Sequence, residues 1–186
     1  MRKSFGAKPY LYPQPVLIIA SYDENGVPDA MNAACGGISD MAEISMSLSA
    51  SHKTVKNIKA KKAFTVSMAT AEYVVACDYL GVESANKVPN KLEKAGLHVT
   101  KSELVDAPII DELPMVLECE MIDYNDETEI LRGKIVNVSA DEKVLGEDGQ
   151  ISLDKFHPIT YDPVHHGYYS FGEKAGNAFQ DGAKLK

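Results

Sequence analysis

Long apolar runs are missing from this sequence. The longest, Val16 to Ala20, is far short of the roughly 20 residues that a membrane-spanning helix needs, so it reads as a buried strand. Pro9, Pro13 and Pro15 interrupt the start of the chain after Arg2 and Lys3, which leaves no apolar core for a signal peptide and sets the expectation of a cytoplasmic protein. Cysteine is scarce: Cys35, Cys77 and Cys119 are odd in number and far apart. That pattern supplies neither a disulfide framework nor a C-x-x-C motif, and predicts reduced, separately buried thiols. Positive charge is in deficit. A formal net charge of −8 disfavours nucleic acid and anionic membrane as partners, since both need a positive field. No G-x-G-x-x-G, Walker loop or G-x-S-x-G occurs, so the chain has no built-in nucleotide domain and no nucleophile elbow. Any nicotinamide would bind transiently.

What the sequence does hold suits one domain. With 186 residues and 45% hydrophobic content, residues 1–186 can bury a full core, with a helical insertion at about 71–95. Val16 to Tyr22 is β-branched and apolar, Asp23-Glu24-Asn25-Gly26 supplies a turn, and Val27 onward reads as the partner strand of a hairpin. Ile44, Met46 and Leu48 alternate with Ser45, Ser47 and Ser49, the two-residue period of a strand. Ser51 is a plausible N-cap for a short helix seated by Val55, Ile58 and Ala60. Ala63 to Ala69 returns to strand character. Ala71 to Leu80 and Lys91 to Ala95 read as further helices. Leu97 to Lys101, Met115 to Tyr124, Glu129 to Ala140, Ile159 to Tyr161 and Tyr168 to Phe171 read as strands, and the acidic stretch Asp141 to Gln150 as a surface loop. Strands dominate without a βαβ alternation, which favours an antiparallel barrel over a doubly wound sheet.

Two segments could carry chemistry. Ser49, Ser51, His52, Lys53, Thr54 and Asn57 lie where a strand gives way to a helix. Hydroxyls and an ammonium there, beside the unpaired N–H groups of a helix start, would suit a phosphate. Lys53, Lys56, Lys59, Lys61 and Lys62 put five of the nineteen basic residues in the same region, and an ordinary capped helix with a solvated basic face explains the spacing equally well. Asn32-Ala33-Ala34-Cys35-Gly36-Gly37 offers backbone groups with little side chain, either for the polar edge of a planar ring or simply for a tight strand bend with a buried cysteine. His165-His166 lacks the spacing of a metal site and reads as a solvated loop; no metal is expected.

Taken together, these segments resemble flavoredoxin and the wider flavin reductase-like family. The resemblance runs through Lys3-Ser4-Phe5-Gly6-Ala7, Tyr12-Pro13-x-Pro15-Val16, Asn32-Ala33-Ala34-x-Gly36-Gly37-Ile38, Thr54-x-x-Asn57-Ile58 and Asp78-Tyr79-x-Gly81 with Ser84. It continues through Lys101 to Pro108, and through Tyr168-Tyr169-x-x-Gly172 to Phe179. It implies a mainly β fold with flanking helices, a six-stranded antiparallel Greek-key split barrel that binds FMN, and a homodimer whose interface helps to wall the flavin site. It also implies that Asn32, Ala33, Ala34 and Cys35 lie along the isoalloxazine, and that Ser49, Ser51, His52, Lys53, Thr54 and Asn57 hold the ribityl and phosphate groups, with Lys91 and Tyr168 as further contacts. The chain departs from the family pattern at Cys35, where flavoredoxins tend to have an aromatic residue, and at Ser49, where they tend to have arginine; Lys53 or His52 would then supply the charge. The resemblance implies electron transfer to a redox protein partner. The alternatives are an NAD(P)H-dependent flavin reductase and a flavin-free barrel for ligand or protein association.

Overall fold

The run Val16 to Ala20 is apolar at every position because the strand that carries it is covered on both faces: Leu17 and Ile19 point into one core, and Val16, Ile18 and Ala20 into another. The computed structural model describes all residues, Met1–Lys186. In chain order the elements are β1 (Gln14–Pro15), β2 (Leu17–Tyr22), β3 (Pro28–Ala33), β4 (Gly36–Asp40), β5 (Glu43–Ser47), α1 (Lys53–Lys61), β6 (Ala63–Met68), α2 (Val74–Val82) and α3 (Lys91–Lys94). There follow β7 (Val99–Lys101), β8 (Pro108–Ile110), β9 (Met115–Asn125), β10 (Ile130–Ala140), α4 (Leu153–Phe156), β11 (Ile159–Asp162) and β12 (Gly167–Ser170). The order β3-β2-β6-β9-β10-β5-β4 forms one curled sheet in which every pairing is antiparallel. β1, β11 and β12 make a small sheet beside it, and β7 pairs with β8.

The main sheet has seven strands where six were expected. The extra strand, β4, comes from the small-residue segment read as a bend. Gly36 pairs with Met46, and a Cβ at Gly36 would stand 2.6 Å from the Met46 Cγ, so a glycine is what allows the strand to close against β5. A similar approach occurs at Gly133 on β10, where a Cβ would stand 2.3 Å from the Phe64 ring. Phe64 is fully buried at the centre of the inner core with Ile19, Val66, Cys119 and Leu131.

α1 closes one end of the half-barrel. Val55 and Ile58, three residues apart and so on one helix face, are buried in the inner core, while Ala60 is exposed, contrary to the expectation that it helps to seat the helix. Ser51 is not the cap. The helix starts one residue later, with His52 as N-cap and no side-chain cap bond. The Ser51 hydroxyl turns instead to Ser49 Oγ at 3.2 Å, and Glu129 Oε1 accepts from both the Ser49 hydroxyl and the Ala50 N–H at 2.9 Å, holding the turn ahead of the helix. The five lysines do not form one site: Lys59 pairs with Asp126 and Lys61 with Asp106, because successive positions of a helix point in different directions.

α2 packs on the opposite face of the sheet, with Cys77 and Leu80 buried against Ile18, Ala20 and Ala30. Burial pushes the Cys77 and Cys119 thiols up to about 12, which leaves them unreactive. Cys35, expected to be buried, is exposed at the β3–β4 bend. No helix is long and apolar enough to cross a membrane.

Candidate functional site

β3 is an edge strand of the main sheet, and a cleft runs along it between α1 and α2. At one end, about 440 Å³ of space is bounded by Asn32 of β3, His52, Lys53 and Thr54 at the start of α1, the Leu80–Ala85 turn that ends α2, and Lys91. At the other end, about 520 Å³ is bounded by Val16, Asn32, Ala33, Ala34, Asp78 and the tyrosines Tyr161 and Tyr168. Asn32, Gly81 and Val82 border both, so the two spaces adjoin along β3 as the two ends of one cleft.

The first end is anion-seeking. The N–H groups of Lys53, Thr54 and Val55 have no acceptor in the protein, as the first turn of an uncapped helix requires. They carry the positive end of the helix dipole toward the cleft. Lys53 is held 3.3 Å from Asp23 of the β2–β3 turn. Burial would push the Asp23 carboxyl up, but N–H bonds from Val27 and Asn25 and the Lys53 ammonium bring it below the ordinary range.

Beneath this end lies a buried polar cluster. Asp29 is 1% exposed and Lys91 3%, and the ammonium lies 3.4 Å from Asp29 Oδ1. The Thr54 hydroxyl donates to Asp29 Oδ2 at 2.6 Å. Lys91 Nζ also donates to the carbonyls of Leu80 and Glu83, at 3.2 and 3.1 Å, which fixes the turn after α2. Burial lowers the Lys91 pKa, and the Asp29 carboxylate opposes that shift. Asp29 Oδ1 receives no hydrogen bond.

The second end is small-residue and aromatic. Asn32 Nδ2 donates to the Cys77 carbonyl at 3.0 Å, and a Cβ at Gly81 would stand 3.1 Å from that of Asn32. The bare glycine therefore lets α2 lie close to β3. Tyr168 packs its ring against Tyr161, with centroids 6.0 Å apart, and donates its hydroxyl to Asp78 Oδ1 at 2.7 Å. Burial, and then that bond, push the Tyr168 pKa up to about 12. The Tyr12 hydroxyl donates to Asp162 on β11 and so ties the N-terminal arm to the same small sheet.

Of the residues singled out from sequence, the cleft gathers Asn32, Ala33, Ala34, His52, Lys53, Thr54, Lys91 and Tyr168. Ser49, Ser51, Cys35 and Asn57 lie outside its lining. Ser49 is bound to Glu129, Ser51 lies 3.2 Å from Ser49 Oγ, and Asn57 is buried on α1 with its Nδ2 unpartnered. His165 and His166 are engaged with Asp162 and Tyr161. Sequence reasoning missed Asp29 and Tyr161, and left Asp78 and Gly81 without a role. An aspartate inside an apolar hairpin strand was the available signal for Asp29.

The flavin reductase like domain matches residues 10–167. Among solved structures, the flavoredoxin of Desulfovibrio vulgaris (Miyazaki F) superposes with a TM-score of 0.93 at 35% identity, over 98% of this chain and 100% of that one. The flavoredoxin from Methanosarcina acetivorans gives a TM-score of 0.89 at 22% identity, over the whole of both chains. A protein of Aquifex aeolicus (strain VF5) is 30% identical over 64% of this chain and 62% of its own length, so the match spans less than two thirds of that relative. With the profile match covering most of the sequence, the chain belongs to the flavin reductase like domain family.

Proposed function

We propose that the β3 cleft binds FMN and that the protein is an electron carrier of the flavoredoxin type. The observation that carries this reading is the two-ended cleft. Unpartnered N–H groups and Lys53 stand at one end and a wall of Asn32, Ala33 and Ala34 at the other, with Asn32 and Gly81 common to both. The residues fit the group: the N–H groups of the α1 N-terminus and the Lys53 ammonium would take the phosphate, and the alanines leave room for a flat ring system. A bound flavin supplies the electron-accepting chemistry. This chain's own residues bind, orient and shield: Gly81 keeps the cleft narrow, Lys91 holds the turn that forms its floor, and the Tyr161–Tyr168 pair closes the ring end.

Oligomerisation to a homodimer belongs to the same proposal. Phe5, Leu11 and Phe179 are exposed on the terminal arms, and Ile38 is exposed on the edge strand β4, apolar surface that a second copy would cover. The test is the visible spectrum of the purified protein, before and after adding NADH or NADPH under argon. A yellow protein that stays oxidised supports the carrier. Rapid bleaching makes it an NAD(P)H-dependent reductase, and a protein that is colourless and takes up no added FMN removes the flavin reading.

A further inference from the structure

The charges around the two ends of the cleft are unequal. Lys53, Lys91 and His52 border the first end together with Asp29 and Glu83. No lysine, arginine or histidine borders the second end, and Asp78 is its one ionisable carboxylate. The Asp78 side chain is set in place from across the cleft by the Tyr168 hydroxyl at 2.7 Å, and its helix is anchored by the Asn32 bond to the Cys77 carbonyl. Such a carboxylate acts as a fixed negative charge in a partly desolvated site, where charges interact more strongly than in water.

We propose that Asp78 sets the reduction potential of this site, favouring the oxidised over the reduced form of a flavin bound there. The inference rests on the flavin reading above and deepens it. A flavin that takes up two electrons and one proton gains one negative charge, and the nearest fixed charge at this end repels it. No lysine, arginine or histidine in the lining of this end offsets that repulsion. The cleft therefore binds the oxidised flavin more tightly than the reduced one, and the electrons leave readily for an acceptor. Asp78 is a potential-setting residue and handles no proton or bond of its own.

Asp78→Asn keeps an oxygen that can accept from Tyr168 while removing the charge. In the FMN-loaded protein the ratio of oxidised to reduced flavin dissociation constants, read from the two-electron midpoint potential, should shift by about tenfold toward the reduced form, or about 30 mV upward. Asp78→Glu retains the charge and should stay within about threefold of the parent protein. Asp78→Ser carries the same expectation as the asparagine variant if that one does not fold. An unchanged potential in the neutral variants, or an equal shift in the glutamate variant, would overturn the assignment, because the effect would then be absent or structural. A parent protein that binds no FMN would overturn the flavin reading itself, and with it this assignment, which keeps the two failures apart.

Discussion

The two ends of the cleft share β3 and are built from opposite materials. The α1 end is laid over a buried aspartate, lysine and threonine whose bonds tie β3, α1 and the turn after α2 together. The ring end consists of small residues and a pair of tyrosines from a separate sheet, joined to α2 by a single side-chain bond. The difference teaches where stability and tuning reside. A buried charge cluster holds the scaffold at one end, and a lightly tied aromatic wall shapes the environment of the other. Substitutions in the buried cluster should therefore act on folding, and those of residues that only line the cleft mainly on the properties of whatever is bound.

Lys91→Ala puts that contrast to its hardest test, because it leaves Asp29 buried and uncompensated. The expected cost is about 3 kcal/mol or more in urea denaturation, and a loss under 1 kcal/mol would mean that the cluster does not hold the scaffold. Thr54→Val removes one hydrogen bond to a buried carboxylate and should cost about 2 kcal/mol, read in the same way. Lys53→Ala sharpens the comparison from the other side: its partly exposed pair with Asp23 adds less than about 1 kcal/mol to folding. Flavin fluorescence titration should nevertheless show FMN affinity falling about tenfold through loss of a charge-assisted bond to the phosphate. An unchanged dissociation constant would remove Lys53 from that end.

The smallest effect concerns pH at the ring end. Tyr168 titrates near 12 in the folded protein against 10 for the free side chain, so the unfolded chain loses this proton first. Its contribution to stability is complete below pH 10 and disappears as pH rises toward 12. The loss should be about 1 kcal/mol once solvent screening is allowed for. Tyr168→Phe should flatten the stability profile in that window, and the same alkaline decline in the variant would place its cause elsewhere.

Much of the fold is legible in the sequence because it depends on local patterns. The serine alternation marked β5 and placed Ile44, Met46 and Leu48 inside, as they are. The turn Asp23 to Gly26 marked the β2–β3 hairpin, and the continuous apolar run marked a strand covered on both faces. β4 was read as a bend because Gly36 carries no pattern; its strand state depends on the room it leaves for Met46, a residue ten positions away. The cap at Ser51 failed for a similar reason, since its hydroxyl turns to Ser49, which is held by Glu129, about eighty residues downstream.

The amino-acid sequence by itself determined the strand and helix periodicities, the lack of a nucleotide-binding motif, and the two segments that come to border one cleft. Only the tertiary structure decided that Asp29, Lys91 and Thr54 form a buried cluster, that Ser49, Ser51, Cys35 and Asn57 stay out of the cleft lining, and that Asp78 meets Tyr168. The physical reason is distance along the chain. A period of two or 3.6 residues is written in neighbouring positions, whereas a charge finds its partner according to which surfaces packing has brought together.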